Sequence, residues 1–137
     1  MTKLLIDTNI VIDLLSKREA FYEEASRLFS QADKKQVRLA ISSLTFANTN
    51  YILTKLTSAK EAREIMRKFK VLVDVLSLDD KIIELALSDE SFLDFEDGLQ
   101  YYSAIENNIE VIITRNKKDF KNSKLPVLTA KEYLART

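Results

Sequence analysis

The 137-residue chain has no cysteine, histidine or tryptophan, and only one glycine and one proline. Without cysteine or histidine there is no disulfide, thiolate nucleophile, Ser-His-Asp triad, imidazole acid or base, or zinc site of the usual ligand set. Any metal must be held by oxygen. Gly98 alone cannot write GxGxxG or GxxxxGKS, so the two common Gly-rich phosphate cradles are excluded as well. No uninterrupted apolar run exceeds three residues, which leaves no candidate bilayer span or secretory leader and makes a cytoplasmic location the expectation. Net charge is missing too: 21 Lys and Arg stand against 21 Asp and Glu, so the field of the whole chain neither favours nor opposes a polyanionic partner.

What is present fits a globular protein, with 46% hydrophobic and 31% charged residues. The length suits one domain over residues 1–137, able to bury roughly two-thirds of the surface of its unfolded chain. Lys3 to Asp7 is a short apolar run ending in an acid, which predicts a buried strand followed by a helix capped at Asp7-Thr8-Asn9. The spacing predicts further helices over 19–33, 44–56, 59–69, 79–87, 94–107 and 129–135. Strands are predicted at 37–41, 71–76, 110–114 and, as an edge strand tolerant of Pro126, 125–128. On the helix over 44–56, Leu44, Ala47, Tyr51 and Ile52 form the expected apolar face. Strands alternating with helices imply an α/β fold, a parallel sheet of four to five strands covered on both faces.

In such a sheet, functional groups gather beyond the carboxyl ends of the strands, where strand order reverses. Asp7 ends the first strand, and Thr114, Arg115 and Asn116 follow the strand at 110–113. Asp94 and Asp97, three apart, open a helix whose dipole favours acids there. Each acid alone reads most simply as a helix cap or solvated surface. Their joint occurrence, a carboxylate straight after one buried strand and Thr-Arg-Asn straight after another, points to a functional site rather than separate caps.

Leu4-Leu5-Ile6-Asp7-Thr8-Asn9, Asp94-Phe95-Glu96-Asp97-Gly98-Leu99-Gln100 and Ile112 to Phe120 resemble, in order and across nearly the whole chain, the three signature segments of PIN domains, the ribonuclease fold of VapC-type toxins. That resemblance implies a three-layer α/β/α sandwich and a Mg²⁺- or Mn²⁺-dependent endoribonuclease. Asp7, Asp97 and Asp119 match its catalytic, metal-binding acids. Asn116 falls in the same last segment, and Asp94 is placed as an outer ligand one turn from Asp97. The family usually carries a glutamate where this chain has Asn48, an uncharged carbonyl donor. Such toxins are usually homodimers, and many pair with an antitoxin, so RNA, an antitoxin and a second copy are the expected partners.

Arg115, Lys117, Lys118, Lys121 and Lys124 lie beside this site and are the expected RNA contacts. Lys60, Arg63, Arg67 and Lys70 form a second basic stripe on the helix over 59–69, which reads more simply as a solvated face. Tyr51, Tyr101 and Tyr102 read as packing or interface residues before base-stacking ones. Two other functions stand against the nuclease: a PIN-like module that binds RNA or protein without cutting, supported by Asn48, and an aspartate phosphotransfer domain, disfavoured because Asn9 stands where Asp-x-Asp needs its second acid.

Overall fold

A computed structural model describes residues 1–136. Five strands, β1 (Lys3–Ile6), β2 (Arg38–Ser42), β3 (Asp74–Leu76), β4 (Val111–Ile113) and β5 (Val127–Leu128), form one wholly parallel sheet in the order β3-β2-β1-β4-β5. Their near-continuous apolar runs follow from burial on both faces. Successive side chains alternate: Leu4, Ile6, Leu39, Ile41, Val111 and Ile113 join one core cluster, while Leu5, Ala40 and Ile112 join another. Leu5 pairs with Ala40 on one side and Ile112 on the other, which makes β1 the centre of the sheet.

Seven helices complete the fold: α1 (Thr8–Leu15), α2 (Tyr22–Asp33), α3 (Ser43–Leu56), α4 (Ala59–Phe69), α5 (Asp80–Ser88), α6 (Phe95–Glu106) and α7 (Ala130–Ala135). The first core cluster holds residues of α1, α2, α3, α4 and α7, and the second holds Tyr101 and Ala104 of α6, giving the three layers. α6 packs on α5 at Gly98, where a Cβ would meet that of Ala86 at 3.4 Å, an ordinary van der Waals contact. Side-chain caps start six helices, from Asp7, Ser42, Ser58, Asp79, Asp94 and Thr129. Asn108, with φ at 57°, supplies the left-handed residue after α6 that glycine often provides. No helix among the described residues is long and apolar enough to cross a membrane.

Three expectations are corrected. α2 begins at Tyr22 rather than residue 19, leaving Ala20 and Phe21 exposed before it. β3 begins at Asp74, because residues 70–72 tighten into a 3₁₀ turn that anchors through buried Phe69 and leaves Val71 in solvent. The buried stripe of α3 is Thr45, Thr49 and Leu53, while Ala47 and Tyr51 face outward. The reason is polar pairing: Thr45 Oγ1 is satisfied inside by Thr8, Ser42 and Gln100, so a threonine takes the place that hydropathy assigns to an apolar residue.

Candidate active site

β1 and β4 lie side by side, and the chain leaves them towards opposite halves of the sheet. A crevice opens at their carboxyl ends as a result. Asp7 stands there as the N-cap of α1, and its carboxylate is held on both oxygens. Oδ1 accepts from the Thr8 N–H at 2.7 Å and from Gln100 Nε2 at 3.4 Å; Oδ2 accepts from the Thr114 hydroxyl at 2.8 Å and from Asn9 Nδ2 at 3.3 Å. Burial raises the pKa of Asp7, the bonds from Thr114, Thr8 and Gln100 pull against it, and the charge of Asp119 pushes the same way as burial.

Asp97 enters from the first turn of α6. Its pKa is raised to about 7, first by burial and then by the charges of Asp119, Asp94, Asp7 and Glu96. Asp119 arrives from the 3₁₀ turn Lys117–Phe120, its N–H bonded to the Asn116 carbonyl. All three acids line one cleft of about 570 Å³ together with Glu96, Asn48 and Asn116. The lining contains four carboxylates and a single cation, Arg18. The cleft therefore favours a cation over an anion.

Among the described residues no three acids stand close enough to form a ready-made metal cage. Mutual repulsion, visible in the raised pKa of Asp97, opposes such an approach while the charges are uncompensated. The donor set nevertheless fits a hard divalent ion. Every candidate ligand is oxygen, and such ions are held by one or two carboxylates while keeping much of their water. Gln100, only 4% exposed, also keeps its buried Oε1 without a hydrogen-bond partner, an orphaned acceptor beside the acids.

The remaining candidate residues divide. Asp94 lies outside the cleft lining and caps α6, accepting from the Glu96 N–H at 2.9 Å; its connection to the site is its charge on Asp97. Arg115 is turned away from the expected RNA face. Its guanidinium grips Asp13 through Nε at 2.7 Å and Nη2 at 3.2 Å and lies over the Phe21 ring at 4.1 Å, because fully buried Asp13 requires a countercharge. Lys117 is paired with Glu132 at 3.0 Å. Lys118 and Lys121 are exposed, with no ion pair among the described residues.

Sequence reasoning missed Gln100, Thr45, Glu96 and Asp13. Two carried a signal: Gln100 stands one helical turn after Asp97, and Asp13 interrupts an apolar stretch of α1 that asks for a buried partner. Thr45 carried none.

Known proteins resemble this chain in sequence and in fold. A family model described as PIN domain matches residues 3–118. Ribonuclease VapC1 of Aquifex aeolicus is 26% identical over 137 residues, covering 98% of this chain and 94% of its own. A toxin-antitoxin complex from Klebsiella pneumoniae superposes with a TM-score of 0.68 at 25% identity, covering 93% of this chain and 97% of the other. VapBC-1 from nontypeable Haemophilus influenzae shares the fold with a TM-score of 0.72 at 19% identity, over 95% and 99%. The model match spans most of the sequence, so the chain belongs to the PIN-domain family.

Proposed function

We propose that this chain, acting as one domain over residues 1–137, is a divalent-metal-dependent endoribonuclease of the VapC kind, the toxin of a toxin-antitoxin pair. The observation that carries the reading is the meeting of Asp7, Asp97 and Asp119 in one cleft at the carboxyl ends of β1 and β4. A bound Mg²⁺ or Mn²⁺ supplies neutralisation of the phosphoryl oxygens and a lowered pKa for a bound water. Asp7, clamped by Thr8, Asn9, Gln100 and Thr114, presents its carboxylate in one orientation, which limits the reorganisation needed on binding. Asp97 and Asp119 supply further charge, while Asn48 and Asn116 offer neutral oxygens. Burial and then the neighbouring acids raise the Asp97 pKa to about 7, and a bound cation would offset the second of these causes and favour its ionised form.

RNA is the substrate by analogy with the ribonuclease relative, with Lys118 and Lys121 exposed beside the cleft to meet phosphates. The antitoxin partner rests on the toxin-antitoxin complexes that share the fold; a homodimer rests on the family resemblance alone, and a cytoplasmic location on the short apolar runs of the sequence. The competing reading, binding without hydrolysis, draws on Asn48 and on the missing three-acid cage. Incubation with RNA and Mn²⁺ or Mg²⁺ separates them. Cleavage should occur with either ion and vanish with EDTA or in Asp7→Asn; RNA binding with no cleavage under any of these conditions would leave only the binding module.

A further inference from the structure

An acidic cleft repels the polyanion it is proposed to cut, so the grip on the RNA backbone must come from cations outside it. Arg115 and Lys117 are already committed to Asp13 and Glu132. Lys118 and Lys121 stay free beside the cleft, and a second cationic feature lies beyond α3. Arg63 and Arg67 stand one turn apart on α4 and Lys70 caps its C-terminal end; with Met66 of α4 and Phe46, Ala47 and Asn50 of α3 they line a groove of about 400 Å³. All three are exposed, and none enters an ion pair among the described residues. The acids of α4, Glu61 and Glu64, are absent from the lining.

The groove and the cleft lie against the same helix. α3 is the wall between them: Asn48, Tyr51 and Ile52 line the cleft, and Phe46, Ala47 and Asn50 line the groove. The ridge between carries Ala47, too small to obstruct a passing chain, and Tyr51, whose ring is 61% exposed with the Lys55 ammonium 4.5 Å from its centroid. A helix is about 10 Å wide, so a strand leaving the cleft crosses it within a few nucleotides. Exposed aromatic rings accept stacked bases of any sequence.

We infer that the α3–α4 groove is a second nucleic-acid site, a track in which Arg63, Arg67 and Lys70 hold the phosphodiester backbone of single-stranded RNA extending from the cleft. This rests on RNA being the substrate there. A line of three cations along an open groove suits a polymer of regular charge better than a compact anion, and its position on the other side of α3 from the proposed RNA cleft favours RNA over an acidic peptide.

The test uses full-length protein carrying Asp7→Asn, so that RNA survives, and fluorescence anisotropy with a short oligonucleotide sized to the cleft and a longer one that reaches the groove. Combining Arg63→Gln, Arg67→Gln and Lys70→Gln should weaken binding of the longer RNA by about tenfold or more at ~0.1 M salt, and should lessen the slope of log K against log salt by about 2, with the short RNA unaffected. A matched control removes the same charge from exposed Arg27, Lys34 and Arg136 and should leave both RNAs bound as before. Unchanged affinity and slope for the longer RNA, or an equal loss in the control, would overturn the track. So would poly-glutamate binding that needs the three cations when RNA binding does not. If wild-type protein binds the longer RNA through these residues yet never cuts it, the nuclease reading fails and the track stands.

Discussion

Asp97 shows how one residue carries conflicting demands. Unfolded, its carboxyl ionises near pH 3.9; folded, burial and four neighbouring acids raise its pKa to about 7. Between those values the folded state holds a proton that the unfolded state has lost, so stability falls as pH rises through that window and levels off above it. Asp97→Asn removes the penalty. The side chain is partly exposed, which discounts the gain to about 1 kcal/mol, or about 3 °C in Tm at pH 8. The advantage should shrink towards zero by pH 4 in thermal melts across pH; an advantage independent of pH would contradict the charge crowding. Legibility at this scale was uneven. Asp7 and Asp97 stand out by local pattern and Asp119 by the family resemblance, and the fold brings all three to one cleft. Asp94 was chosen by the same logic, but its carboxylate is spent on capping α6.

Between elements, the Asp13–Arg115 pair ties α1 to the turn after β4. Asp13 is buried, with a side chain 1% exposed, so truncating its partner leaves a charge in the core. Arg115→Met should destabilise the fold by about 3 kcal/mol, read from the urea midpoint, the low end for a broken buried pair because Arg18 remains 3.8 Å from Asp13. A loss near zero would mean that Arg18 moves in to replace it. The pairing also explains why Arg115 was misread as an RNA contact: its position beside the site is visible in sequence, but its partner lies 102 residues earlier. α3 was misread for a related reason. Its existence followed from Ser42 and the pattern after it, but its inner face includes the Thr45 hydroxyl, satisfied by Thr8 of α1 and Gln100 of α6, and the buried Thr49 hydroxyl, which finds no partner among the described residues.

Across the whole molecule, the central position of β1 gathers acids from β1, α6 and the turn after β4, and that convergence predicts linkage between ion binding and global stability. Mn²⁺ at about 100 times its Kd should add about 2.7 kcal/mol, several degrees in Tm for a chain of this size. EDTA should reverse the shift, and Asp7→Asn should abolish it. A Tm indifferent to Mn²⁺ in the wild-type protein would count against the metal site.

The sequence by itself determined the order of strands and helices, because buried parallel strands write continuous apolar runs and helix starts write their caps; it also marked Asp7 and Asp97 by their positions at element ends, and Asp119 through its resemblance to the PIN-domain segments. Only the tertiary structure decided which charges are free to act. Pairing of Arg115 with Asp13, of Lys117 with Glu132, and the open line of Arg63, Arg67 and Lys70 depend on distances between segments remote in the chain, and electrostatic energy is set by those distances rather than by order along the polypeptide.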